Sequence, residues 1–214
     1  MIFKDRKDAG EKLASKLRPL NIQDPVILAI PRGGVVIGDV IAKKLKAPLD
    51  IIISRKIGSP HNPELAIGAV MHDGSFFPNI DIINELNVSE KYISQAIAVE
   101  LKEIGRRLNL FRGSKEYALK DKTSILVDDG IATGATLFAA MEWVKVQKPK
   151  RLIVAIPVSP NDTLKQLSGL VEVIVLYIPP FFNAVGEFYE VFNQVEDYQV
   201  MEIMRHYPKN GSSG

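Results

Sequence analysis

Short apolar runs that do not alternate with polar residues most constrain what this chain can fold into. They lie at Pro25–Ile30, Leu49–Ser54, Ala66–Met71, Ser124–Val127, Arg151–Ile156 and Val171–Ile178. A strand wetted on one face alternates; a strand with no polar face must be covered on both sides, as in parallel sheets. The segments between the runs carry the helical period. Ala9, Leu13 and Leu17 recur every four residues among charges, which predicts a helix over residues 5–17. Helices are also predicted over Val35–Leu45, Ser89–Leu110, Ala135–Val146 and, briefly, Thr163–Leu167. The second of these is announced by Asn87 with Glu90 three residues on, a capping-box pattern. The expected fold class is α/β, a mostly parallel sheet with helices on both faces.

No linker or repeat splits the chain, so one domain over residues 1–208 is expected. Residues 209–214 read as a flexible tail or an expression remnant. The 27 basic residues nearly balance the 25 acidic ones, which argues against a dedicated nucleic-acid binder. With no cysteine, disulfides and thiolate chemistry are excluded. The charged amino terminus has no signal core, and no apolar run is long enough for a bilayer. A cytoplasmic protein with no membrane partner is therefore expected.

In open parallel sheets ligands bind beyond the carboxyl ends of the strands, and the unusual residues of this chain stand there. Pro31-Arg32-Gly33-Gly34 follows the first run and Arg55-Lys56 the second, opening a polar loop to Pro63. Asp128-Asp129 follows Ile125-Leu126-Val127, and the chain continues Gly130-Ile131-Ala132-Thr133-Gly134-Ala135-Thr136 into a predicted helix. Two adjacent carboxylates at a buried strand end are costly unless donors or a cation meet them; a ribose diol and Mg²⁺ supply each. A glycine-containing turn leading into a helix amino terminus exposes backbone amides to phosphate, and the threonines add neutral donors. Asp128 and Asp129 are thus the candidate diol and metal residues, and Ala132, Thr133, Gly134, Ala135 and Thr136 the candidate phosphate nest.

Four apolar residues, two acids, three variable positions and Thr-Gly-x-Thr make this segment similar to the signature of the type I phosphoribosyltransferase family. The resemblance spans residues 24–178 and implies that family's fold, with a small variable hood over residues 179–207. It implies that Asp128 and Asp129 hold the ribose hydroxyls of 5-phosphoribosyl diphosphate (PRPP) and their Mg²⁺ environment, and that Ala132–Thr136 wraps the 5-phosphate. Arg32, Gly33 and Gly34 resemble the family's pyrophosphate loop, which often contains a non-proline cis peptide. Arg55, Lys56 and the stretch to Glu64 match its mobile catalytic lid, whose closure keeps water from the activated sugar.

The implied reaction transfers the phosphoribosyl group to a ring nitrogen of a small nitrogenous base. Relatives acting on 6-oxopurines carry an Asp where this chain has Ala132, so any proton-handling group comes from elsewhere; Glu64 is a candidate, or an inert loop residue. The candidates for the hood that closes the site are Pro179–Phe182 and Val185–Phe192, and Phe181 and Phe182 either stack on the base or pack the interior. Residues 183–195 resemble a little-characterised bacterial and archaeal branch, which leaves the acceptor open. His61 and His72 read as exposed loop histidines, since neither has a second ligand at metal spacing. No G-x-x-x-x-G-K-[ST] loop is present, and the strands after Asp128 lack the acceptor Asp of a phosphorelay receiver. The family also contains non-catalytic PRPP sensors, the alternative to an enzyme, although no DNA-binding segment precedes the first strand. A homodimer is the expected assembly.

Overall fold

The structure, a computed structural model, describes residues 2–207; the expected tail lies outside them. The first half runs α1 (Arg6–Leu17), β1 (Pro25–Ala29), α2 (Gly33–Leu45), β2 (Leu49–Ile51), β3 (Ser54–Gly58), β4 (Ala66–Met71), β5 (Phe76–Pro78) and α3 (Ile80–Glu85). The second runs α4 (Glu90–Phe111), β6 (Thr123–Val127), α5 (Ala135–Val146), β7 (Arg151–Val158), α6 (Asn161–Ser168), β8 (Glu172–Tyr177) and α7 (Asp197–Met204). Five strands form a sheet in the order β2-β1-β6-β7-β8, every neighbouring pair parallel.

The apolar runs follow from this arrangement. Successive strand residues face opposite ways, and both faces are covered. Ile27, Ala29, Ile125, Val127 and Ile153 join one core with Leu13 of α1 and Ile37 of α2. Val26, Leu28, Leu126, Val154 and Ile156 join the other with Leu137, Ala140 and Val144 of α5. Because β1 has β2 on one side and β6 on the other, successive crossovers wind in opposite directions from it. A crevice opens at that switch point, beyond the carboxyl ends of β1 and β6.

Three expectations are corrected. The run Leu49–Ser54 is not one strand: β2 stops at Ile51, and Ile52 and Ile53 form a buried connector. An apolar run reports burial, and burial does not require ladder pairing. Nor are residues 55–63 all loop, because β3 pairs antiparallel with β4, and β4 with β5, in a separate three-stranded sheet. Only Ile57 of the Arg55–Gly58 stretch is buried, so periodicity had one residue to register. The α4 amino terminus is capped by Ser89, whose hydroxyl accepts from the Tyr92 amide at 3.3 Å, while Asn87 takes a left-handed conformation.

His72 is also not an exposed loop residue; it is 9% exposed. Its ring sits 5.0 Å from that of Tyr117 and 4.6 Å from that of Trp143, whose Nε1 donates to Asp73 at 2.7 Å. Burial pushes the imidazole pKa below its ordinary value. The unfolded chain then takes up a proton near pH ~6.5 that the folded chain refuses, so stability is lost as pH falls through that value. His72→Phe keeps the aromatic packing and removes this titration. Its melting temperature is expected to decline less than that of wild type between about pH 7 and 5; parallel declines would contradict the assignment.

Beside this cluster lies a buried ion pair. Arg112 Nε and Nη2 donate to the Asp50 carboxylate at 2.7 and 2.9 Å, both residues being under 5% exposed. The guanidinium stacks 3.8 Å over Tyr117 and donates to the carbonyls of Ser114 and Glu116. The pair fastens the segment after α4 to the edge strand β2.

Candidate functional site

Two loops meet at the switch point. At the end of β1 the Pro31–Arg32 peptide bond is cis, and Gly33 opens α2. At the end of β6, Asp128 and Asp129 lead through Gly130–Gly134 into α5. The Ile30 amide donates to the Val127 carbonyl at 2.9 Å, tying the two loops together. Glycine is required where they touch. A Cβ on Gly33 would fall 1.8 Å from Asp129 Oδ2, and one on Gly34 would fall 2.9 Å from the Val127 carbonyl oxygen.

The acid pair lies on the wall of a cavity of about 650 Å³ that also takes in Arg32, Arg55, Lys56 and Glu64. Asp128 Oδ1 accepts from the Asp129 amide at 2.8 Å. Burial, with the adjacent Asp129 charge, pushes the Asp128 pKa well above the usual carboxylate range. Burial also raises that of Asp129, against the pull of Arg6, whose Nε donates to Oδ2 at 2.8 Å. Two enclosed carboxylates in this state seek hydroxyl donors or a hard cation.

A second cavity of about 210 Å³ adjoins the first and is formed by residues 130–137 with Asp128, Lys56 and Val185. Thr136 borders both spaces. Gly134, at φ 78°, caps α5 without a side-chain hydrogen bond, so the first amides of this twelve-residue helix face the turn. The turn is braced from below: the Thr163 hydroxyl donates to the Ala132 carbonyl at 2.8 Å, and the Ile131 amide to that of Val158 at 3.0 Å. A concavity of this size with an amide-lined rim suits one phosphate group.

A family profile described as a phosphoribosyl transferase domain matches residues 2–190, nearly all of the chain. The chain belongs to the phosphoribosyl transferase family. A Mycobacterium tuberculosis H37Rv protein with a provisional phosphoribosyl transferase name is 37% identical over 205 residues, which are 95% of this chain and 46% of that protein. The chain therefore spans about half the length of the curated relatives it matches. The crystal structure of TT1426 from Thermus thermophilus is similar with a TM-score of 0.82 and 36% identity, covering 97% of this chain and 99% of that one. The AQ2163 protein of Aquifex aeolicus, at TM-score 0.52 and 13% identity, covers 81% of this chain and 74% of that one and shares the fold. Phosphoribosyl transferase family members are in general PRPP-utilising transferases, and the α/β fold expected from the strand pattern is the one observed.

Within this phosphoribosyl transferase fold the structure brings together most of the residues singled out in the sequence. Arg32, Gly33, Asp128, Asp129, Thr136, Arg55, Lys56 and Glu64 share one cavity, and Ala132, Thr133, Gly134 and Ala135 border the adjoining one. Gly34 lies beneath them, packed on β6. Phe181 and Phe182 are not brought in. Phe181 is 86% exposed, and Phe182 stacks on Phe188 with centroids 5.4 Å apart. The aromatic residue that does line the larger cavity is Phe192, with Gln194 and Val195 after it.

Three further charged lining residues were missed in the sequence. Arg6 belongs to α1, and Glu100 and Arg107 to α4. Glu100 and Arg107 are seven apart and so share a helix face, a readable signal. Arg6 had none, being one charge in a charged amino terminus. Each cation expected to face the ligand already meets an acid: Arg55 Nε meets Glu100 at 2.6 Å and Lys56 meets Glu64 at 2.8 Å. Arg32 lies 3.5 Å from Asp197 at the start of α7.

Proposed function

We propose that this protein transfers the 5-phosphoribosyl group of PRPP to a ring nitrogen of a nucleobase-like acceptor, releasing pyrophosphate. The observation that carries this reading is that the acid pair, the amide-lined turn and the arginine loop open onto adjoining cavities at the switch point. In the reaction the bond from the anomeric carbon to the pyrophosphate oxygen breaks, and a bond from that carbon to the ring nitrogen forms. The sugar gains oxocarbenium character while negative charge grows on the leaving group.

In this reading the Ala132–Thr136 turn takes the 5-phosphate, and Asp128 and Asp129 take the ribose diol. Arg32, Arg55 and Lys56 would stabilise the departing pyrophosphate, which outcompetes their present carboxylate partners by charge. Holding both reactants in one enclosed geometry lowers the barrier further. Among the described residues no group of three or more His, Cys, Asp or Glu is placed to hold a metal ion. Two enclosed carboxylates nonetheless suit Mg²⁺, which takes one or two from a protein and its remaining oxygens from a phosphorylated substrate. Asp128 and Asp129 would hold it, and when bound it would neutralise charge on the diphosphate.

No described helix is long and apolar enough to cross a membrane. Glu64 stands at the cavity rim on the loop between β3 and β4, and once pyrophosphate takes Lys56 it is the candidate to accept the acceptor's proton. Glu64→Gln should then lower kcat about 10²-fold or more with little change in the KM for PRPP; an unchanged kcat removes Glu64 from the mechanism.

The decisive assay incubates protein, PRPP and Mg²⁺ with a panel of nitrogenous bases and follows pyrophosphate release. Release that depends on one base supports the transferase. PRPP binding with no turnover on any base identifies a sensor instead.

A further inference from the structure

We propose that Arg6 acts as an internal cation at the acid pair, closing it to a divalent ion until PRPP arrives. The proposal rests on the PRPP reading above but concerns a residue that reading does not use. Arg6 is held by three contacts. Its Nε donates to Asp129 Oδ2 at 2.8 Å, its Nη1 to the Asn193 carbonyl at 2.8 Å, and its guanidinium lies 3.9 Å from the Phe192 ring centroid. The Arg6 and Asp129 side chains are only 11% and 16% exposed.

The ion pair fills the space that a side chain on Gly33 would need: a Cβ there would lie 1.8 Å from Asp129 Oδ2 and 2.8 Å from Arg6 Nε. The same carboxylate is fixed from its backbone by the Tyr189 hydroxyl, which donates to the Asp129 carbonyl at 2.6 Å. Residues on either side of this contact are joined as well. The Phe3 amide donates to the Phe188 carbonyl at 2.7 Å, and the Glu190 amide to that of Phe3 at 2.8 Å. The amino-terminal helix and the carboxyl-terminal segment thus deliver one guanidinium to one acid of the pair.

With Asp129 neutralised, a free divalent ion meets a single uncompensated carboxylate, too little to displace the water of Mg²⁺. PRPP changes this by bringing diphosphate oxygens of its own, so the ion and PRPP enter together. Without the Arg6 charge, two adjacent enclosed carboxylates are left uncompensated, and a divalent ion relieves their repulsion. Arg6 is therefore a positioning residue, and its loss should create a metal affinity that a merely structural role would not.

The test is Mn²⁺ binding to metal-free protein without PRPP, read from the electron paramagnetic resonance signal of free Mn²⁺. Wild type and Arg6→Lys should show no submillimolar site. Arg6→Gln should gain one site per chain, at least about tenfold tighter than wild type, and lose it again when combined with Asp128→Asn. A folded Arg6→Gln with no gain overturns the proposal. So does a wild-type submillimolar site that Asp128→Asn removes, a result that decides even if Arg6→Gln does not fold. Calorimetry of wild type with Mg²⁺ and PRPP separates the two layers. PRPP heat without the Mn²⁺ gain sinks only the role of Arg6, whereas the Mn²⁺ gain without PRPP heat sinks only the PRPP reading.

Discussion

Arg112→Met is expected to lower the stability of the fold by about 3–5 kcal/mol, the usual result of removing one partner from a buried ion pair. For a chain of this size that is a fall in melting temperature of roughly 6–20 °C. The guanidinium makes two short bonds to the Asp50 carboxylate and two to backbone carbonyls, and it covers the face of Tyr117. Methionine fills similar volume but offers no donor, so both carbonyls lose the guanidinium and the enclosed carboxylate loses the charge that balances its own, although the Ile51 amide still donates to it at 2.8 Å. Replacing both charges, as Asp50→Leu with Arg112→Met, should recover most of the loss, because two apolar groups need no compensation. Thermal melts of the three proteins decide this. A cost below about 1 kcal/mol for the single variant would mean that the pair is solvated as surface pairs are.

Asp128→Asn should have opposite effects on stability and on function. Burial and the adjacent Asp129 charge disfavour the ionised Asp128 side chain in the free protein. The folded pKa is raised, so the carboxylate lowers stability as pH climbs from about 4 through that higher value. The amide removes that cost, and the unliganded variant should melt higher at neutral pH than wild type. PRPP affinity should fall about 10²-fold or more, since each charge-assisted hydrogen bond to a ribose hydroxyl contributes about 1.5–3 kcal/mol. Melting curves with and without Mg²⁺ and PRPP read both effects on one sample. A variant that binds PRPP as wild type does would remove Asp128 from the site.

The fold was legible where burial and pairing coincide. Ser124–Val127 and Arg151–Ile156 read as buried parallel strands because each is covered on both faces and ends in a polar or glycine-containing turn. It was not legible where they part. Ile52 and Ile53 are as apolar as any strand, yet they cross between two sheets. Arg55 and Lys56 read as loop because Ile57 is the one buried apolar residue of β3.

The site follows the same logic. Asp128, Asp129 and the Thr133–Thr136 turn are contiguous, and a strand followed by a helix places contiguous residues without tertiary information. Arg6 and Phe192 reach the same cavity from opposite ends of the described chain, brought there by the Phe3–Tyr189 bridge. No local pattern records such a meeting. Of the four phenylalanines after β8, Phe192 lines the site while Phe181 faces solvent, a difference that their composition and spacing do not record.

The claim on which the rest stands is that the carboxylates beyond β6 and the amides opening α5 grip the two ends of one phosphorylated pentose. Calorimetric titration of PRPP into the protein with excess Mg²⁺ tests it most directly. The account predicts one site per chain, weakened by Asp128→Asn and competed by ribose 5-phosphate. Absence of heat from wild type at millimolar PRPP, or heat unaffected by either change, would contradict it.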